Sequence, residues 1–199
     1  MKHTKIVLLT AAVVMMTQAL GLSAAAEEET PAQSSEESVI DADSLSSDES
    51  SKETLTSGDY SYTLDGDNAT ITKYNGSETA VTIPDKLDGH TVTTLGSGTF
   101  ATKDMITSIT IPATVDTINS SCFYGCTVLE QVSLAEGNTA FTVTDGVLFS
   151  ANGEDLIVYP QAMEGTSYTI PDTVREIWTS AFSNTKLTDV TFPDGLLYI

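Results

Sequence analysis

Positive charge is what this 199-residue chain has least of: eight Lys and Arg stand against 28 Asp and Glu, a net charge of −20. Such a surface repels phosphate backbones, and no Lys or Arg cluster forms a basic groove, so nucleic acid is excluded as a partner. Histidine is nearly missing as well. His3 lies in the extreme N-terminal segment and His90 follows Gly89 in an expected turn, and one imidazole cannot build a His-rich metal centre. The only cysteines, Cys122 and Cys126, flank Phe123 and Tyr124. Their spacing permits a disulfide in an exported protein. The equivalent copy of the sequence carries Ala181 where Cys122 stands, which favours two small buried thiols instead. Long hydrophobic runs are lacking too. The apolar stretch from Ile6 to Met16 falls short of the roughly 20 residues that a membrane span needs.

The N-terminal quarter lacks the means to fold. Residues 1–26 read as a secretory signal peptide, with Lys2, His3 and Lys5 before the apolar run and Ala24-Ala25-Ala26 as the cleavage site. No membrane span remains after its removal. Residues 27–57 hold ten Asp or Glu against Lys52 alone, with serine filling most gaps. Low apolar content and like-charge repulsion cannot offset the entropy of ordering, so a disordered acidic linker is expected there, serving as a spacer or as a solubilising leader. Residues 58–199 remain as the folded domain. They carry five basic and 18 acidic residues, a net charge of 5 − 18 = −13.

Within that domain one spacing recurs. From Pro112 the steps +3, +6 and +11 reach Val115, Ile118 and Phe123, and from Pro171 they reach Val174, Ile177 and Phe182. Pro193 starts a further copy with Leu196 and Ile199. Pro84 starts another that carries five extra residues before Val92, Leu95 and Phe100. Phe100 and Phe123 are 123 − 100 = 23 residues apart. A period in the twenties marks a solenoid of stacked coils.

The apolar pairs Val81/Ile83, Ile109/Ile111, Tyr168/Ile170 and Val190/Phe192 precede these prolines, Val132/Leu134 precedes Ala135, and alternation along a strand turns each pair inward. The residues between them, Thr82, Thr110, Ser133, Thr169 and Thr191, are then expected to form a polar ladder on the exposed face of a parallel sheet. This ladder is the candidate binding face. Phe100, Phe123 and Phe182 are expected to stack as a spine. Residues 60–74 read as a hairpin that caps the first coil. The turn residues Asp65, Asp67 and Asn68 lack the complete oxygen series of a calcium loop. Residues 146–160 read as a second hairpin that interrupts the period, either emerging to carry binding or only thickening the sheet edge or capping a wide loop.

The segments 111–129 (IPATVDTINSSCFYGCTVL), 170–182 (IPDTVREIWTSAF), DGVLFS and LIVYP resemble the BspA-like leucine-rich repeat proteins of bacterial surfaces, over about residues 60–199. The resemblance implies a β-rich leucine-rich-repeat solenoid, secreted or on the cell surface, mediating adhesion to protein or glycoprotein ligands on host or bacterial surfaces. It brings no catalytic residues. Serines and carboxylates are abundant, yet none stands in a motif that meets the positional tests for catalysis. No enzyme activity, cofactor or metal is therefore expected. The alternatives are a non-catalytic accessory region of a larger secreted enzyme and a structural envelope protein. A recognisable wall anchor is lacking, and the last copy stops short of its Phe.

Overall fold

The computed structural model describes Lys5–Val7 and residues 52–199. Apart from these, the stretches read as signal peptide and linker lie outside the described residues. All regular structure among the described residues is strand. In chain order the strands are β1 (Lys5–Val7), β2 (Leu55–Ser57), β3 (Tyr60–Asp65), β4 (Asn68–Tyr74), β5 (Ala80–Thr82), β6 (Lys86–Leu87), β7 (His90–Leu95) and β8 (Ser108–Ile111). They continue with β9 (Thr117–Ile118), β10 (Gln131–Leu134), β11 (Phe141–Thr144), β12 (Val147–Ser150), β13 (Asp155–Val158), β14 (Ser167–Thr169), β15 (Glu176–Ile177) and β16 (Asp189–Thr191). The first strand of the domain begins at Leu55, three residues inside the stretch read as linker. Leu55 pairs with Tyr62 and packs, half-buried, against the core.

Two walls enclose the core. The outer wall is a parallel sheet β5-β8-β10, in which Val81, Ile109 and Val132 share one inward row. A second piece pairs β14 with β16 in parallel, and the backbone of β1 adds antiparallel to the far edge of β16. The opposite wall pairs β4 with β7 and β7 with β9, aligning Ile71, Leu95 and Ile118. Farther along, β13 pairs with β15 and aligns Leu156 with Ile177. Val115 and Val174 are fully enclosed between the walls, as the spacing predicts.

The aromatic rings form two groups rather than one spine of three phenylalanines. Phe123 belongs to the first core cluster and Phe182 packs against the second, and each group includes tyrosines. The Phe100 and Phe123 rings stack with centroids 5.9 Å apart and planes within 6°. Tyr74 lies 5.5 Å before Phe100. Phe182 lies beside Tyr159, at 5.6 Å. Backbone bonds show that the two tyrosines occupy positions equivalent to the phenylalanines. Tyr74 donates its amide to Thr99 O, Phe100 to Cys122 O and Tyr159 to Ala181 O, in each case the residue just before the next aromatic. The interval from Tyr159 to Phe182 is 182 − 159 = 23 residues, the same as from Phe100 to Phe123. The backbone around the phenylalanines repeats as well. Two residues before each Phe, Gly98, Ser121 and Ser180 have positive φ, and two residues after it so do Thr102, Gly125 and Asn184.

The second hairpin is neither an outgrowth nor an edge. Val147, Phe149, Leu156 and Tyr159 belong to one core cluster, while Leu148, Ile157 and Val158 belong to the other. The β12–β13 hairpin is thus a partition buried on both faces. Its build matches the β3–β4 hairpin: in each, the second strand leads to a tyrosine of an aromatic group and pairs in parallel with a wall strand of the next coil. The domain therefore runs hairpin then coils, twice.

At the first hairpin, Asp88 ties the cap to the following turn. Its carboxylate accepts hydrogen bonds from Ser57 Oγ (2.8 Å) and Tyr62 OH (2.9 Å). The bond from Ser57, then that from Tyr62, holds this carboxyl below the usual carboxylate range. A lowered folded pKa contributes stability that is present above the unfolded value and is lost as pH falls through the folded one. In urea titrations between about pH 5 and about pH 2, the native chain should lose more stability on acidification than Asp88→Asn. Parallel acid profiles for the two proteins would show that the carboxylate ties nothing down.

Candidate ligand-binding face

The predicted ladder residues fall into two sets. Thr82, Thr110 and Ser133 are direct neighbours across β5-β8-β10, and Thr169 pairs with Thr191 across β14-β16. All five are exposed or half-exposed. The two sets belong to different sheets, because the hairpin unit 141–158 enters the chain between β10 and β14. Each set has a second outward row two residues upstream: Ala80, Ser108 and Gln131 in the first sheet, Ser167 and Asp189 in the second. Gln131 Nε2 donates to Ser133 Oγ at 3.2 Å, so the two rows are tied on β10.

Before each strand stands a further repeated position. Thr107 donates its amide to Thr79 O (2.7 Å), Glu130 to Thr107 O (2.9 Å) and Thr188 to Thr166 O (2.8 Å). This row leads into a groove of about 520 Å³ lined by Thr107, Ser108, Glu130, Gln131, Asp145, Gly146 and Met163. An adjoining recess of about 290 Å³ shares Glu130 and Met163 and adds Ala162, Glu164 and Lys186. The β11–β12 turn supplies Asp145 and Gly146, the latter in a left-handed conformation (φ 82°). That conformation favours glycine, while the nearest neighbour of an added Cβ, the Met163 terminal methyl, is the end of a flexible side chain that can move aside. Behind the wall, Tyr168 packs against Tyr159 at 5.1 Å. Its hydroxyl is pushed up to about 12, first by burial and then by the Asp145 and Tyr159 charges.

The groove and ladder offer hydroxyls, amides and carboxylates on a rigid sheet, a surface suited to reversible polar recognition. Among the described residues no group of three or more His, Cys, Asp or Glu is placed to hold a metal ion. The sequence reading found the ladder but not Thr107, Glu130, Asp145, Met163 or Lys186. The repeated position just before each strand was a readable signal for Thr107 and Glu130. The others come from segments that only the fold brings together.

Cys122 and Cys126 lie behind this face, both buried and both free thiols. Cys126 Sγ donates to Phe100 O at 3.1 Å. Burial pushes the Cys122 thiol up to about 12 and the Cys126 thiol up to about 11, which removes the nucleophilic thiolate. A thiol reagent should therefore find no fast-reacting cysteine in the native protein and two in denaturant. Finding none in denaturant would show a disulfide instead.

A family model described as a BspA type leucine rich repeat region matches residues 74–152 and 158–199, in six copies. No curated protein matches the chain. Similar solved structures include a leucine-rich repeat protein from Eubacterium ventriosum, at 19% identity over 71% of this chain and 60% of that one, with a TM-score of 0.47. The leucine-rich repeat protein of T. pallidum is 21% identical over 68% of this chain and 69% of its own, TM-score 0.48. The pneumococcal vaccine antigen PcpA is 17% identical over 73% and 65%, TM-score 0.42. The chain thus spans less than two thirds of the length of the first and third of these proteins.

Proposed function

We propose, from the premise that this chain belongs to the BspA type leucine-rich repeat family, that it is an exported, non-catalytic binding protein acting at or beyond the cell surface. Its ligands are proteins or glycoproteins of host or bacterial surfaces, and its role is adhesion. The observation that carries this reading is the registered polar ladder Thr82-Thr110-Ser133 running into the groove at Ser108 and Gln131. A rigid array of side chains that both donate and accept hydrogen bonds recognises polar polymer surfaces without chemistry. Residues 1–26 act as the export leader and the acidic stretch after them as a spacer. Loss of the leader would leave the far edge of β16 unpaired.

The ladder lacks the aromatic anchors that dominate tight interfaces, so a single copy binds weakly and adhesion depends on many copies acting together. The test is binding of the chain, displayed in many copies on beads, to immobilised matrix proteins, mucins and whole bacterial cells. Retention on at least one of these is expected, with Thr110→Lys and Ser133→Lys each reducing it. No retention on any of them, or retention indifferent to both substitutions, would overturn the proposal.

A further inference from the structure

The opposite wall carries a surface of another kind. A recess of about 230 Å³ is lined by Ile118, Asn119, Ser120, Glu176, Trp178 and Thr179. Trp178 is the only tryptophan in the chain. Its place in the coil is set by the backbone: the residue after each inward Leu95, Ile118 and Ile177 donates its amide to the preceding level. Gly96 donates to Ile71 O, Asn119 to Leu95 O and Trp178 to Leu156 O, at 2.7, 2.8 and 3.0 Å. Glycine and asparagine fill this position in the other coils, so nothing in the coil itself asks for an indole. The Trp178 side chain packs in part against the first core cluster, and it also lines the recess.

We propose that this recess binds a cationic side chain, the guanidinium or ammonium of an arginine or lysine on a protein partner. Three observations converge. An indole face is the best of the aromatic surfaces for holding a cation. Glu176 is exposed beside it and makes no ion pair among the described residues, where the one such pair is Lys52–Asp65. Asn119, Ser120 and Thr179 offer oxygen acceptors around the same opening, matching the several N–H donors of a guanidinium. The recess is of a size for one side chain rather than a chain segment, and the domain's net charge of 5 − 18 = −13 draws cations toward it. A neutral sugar also stacks on indole and can donate hydroxyls to the carboxylate, but the acidic field does not draw it in, and a saccharide arm in the titration separates the two. This site goes beyond the ladder reading. It lies on the other wall and stands or falls separately.

The sole tryptophan reports on its own site. Titrating the full chain with tetra-arginine amide should give a saturable change in Trp178 emission. The affinity should fall about tenfold in Glu176→Gln and fall with rising salt. Asp104→Asn, a control at an exposed carboxylate that lines neither this recess nor the groove, should leave it unchanged. Tetra-citrulline, of the same shape without the charge, and maltotriose should produce no change. By calorimetry, Trp178→Leu should abolish the heat of arginine-peptide binding. The proposal is overturned by no saturable response to tetra-arginine, by an equal response to citrulline, by a response to the saccharide, or by unaltered affinity in Glu176→Gln.

Discussion

Phe100→Ala is expected to lower the free energy of unfolding by about 3–5 kcal/mol, the range for removing a fully buried aromatic ring. Phe100 has no exposed surface, and its ring lies between Tyr74 at 5.5 Å and Phe123 at 5.9 Å. Its backbone is fixed independently, by the amide bond to Cys122 O and the contact of Cys126 Sγ with its own carbonyl. That anchoring limits how far the coils can collapse into the space the ring leaves, which favours the upper part of the range. Phe182→Ala should cost less, because Phe182 is only half-buried. The measurement is urea unfolding of both variants beside the native chain. Near-neutral behaviour of Phe100→Ala would mean that the rings do not form the column that joins one coil to the next.

What was legible in the chain was the coil itself. Val115, Ile118 and Phe123, with Val174 and Ile177, are buried where the spacing says, because every coil must bury the same inward positions against its neighbours, and Phe182 stands at its position half-buried. The tyrosines were harder to see. A template written for Phe passes over Tyr74 and Tyr159, although the 23-residue interval from Tyr159 to Phe182 was there to be counted. The second hairpin is where the spacing puts it, but its placement between two cores differs from the expectation for a physical reason. A hairpin lying on a sheet edge alternates apolar and polar residues, whereas Val147-Leu148-Phe149 and Leu156-Ile157-Val158 are unbroken apolar runs, the pattern of strands covered on both faces. The groove was not legible. Thr107, Asp145 and Met163 meet only after the partition hairpin has been placed, and no periodicity links them. Trp178 was passed over as well, although a lone indole following an inward Ile stands out against Gly96 and Asn119 at the same step.

The partition can be tested from both of its sides. Leu148→Ala is expected to cost about 2–5 kcal/mol, and Phe149→Ala about 3–5 kcal/mol. These neighbours on one strand point to opposite faces: Leu148 belongs to the cluster that contains Phe100 and Phe123, Phe149 to the one that contains Tyr159 and Val174. A hairpin that merely thickened the sheet edge would bury one of the two and leave the other near-neutral, within about 0.5 kcal/mol. Losses from both substitutions in urea unfolding are therefore the signature of a strand packed between two cores. The shape of the transition carries further information. If the partition couples the clusters, both variants should unfold in a single transition with the native m-value. If each cluster stood alone, Phe149→Ala would split off an early phase that Leu148→Ala lacks. A near-neutral result for either residue would return the hairpin to the periphery and dissolve the reading of the domain as two successive hairpin-and-coil units.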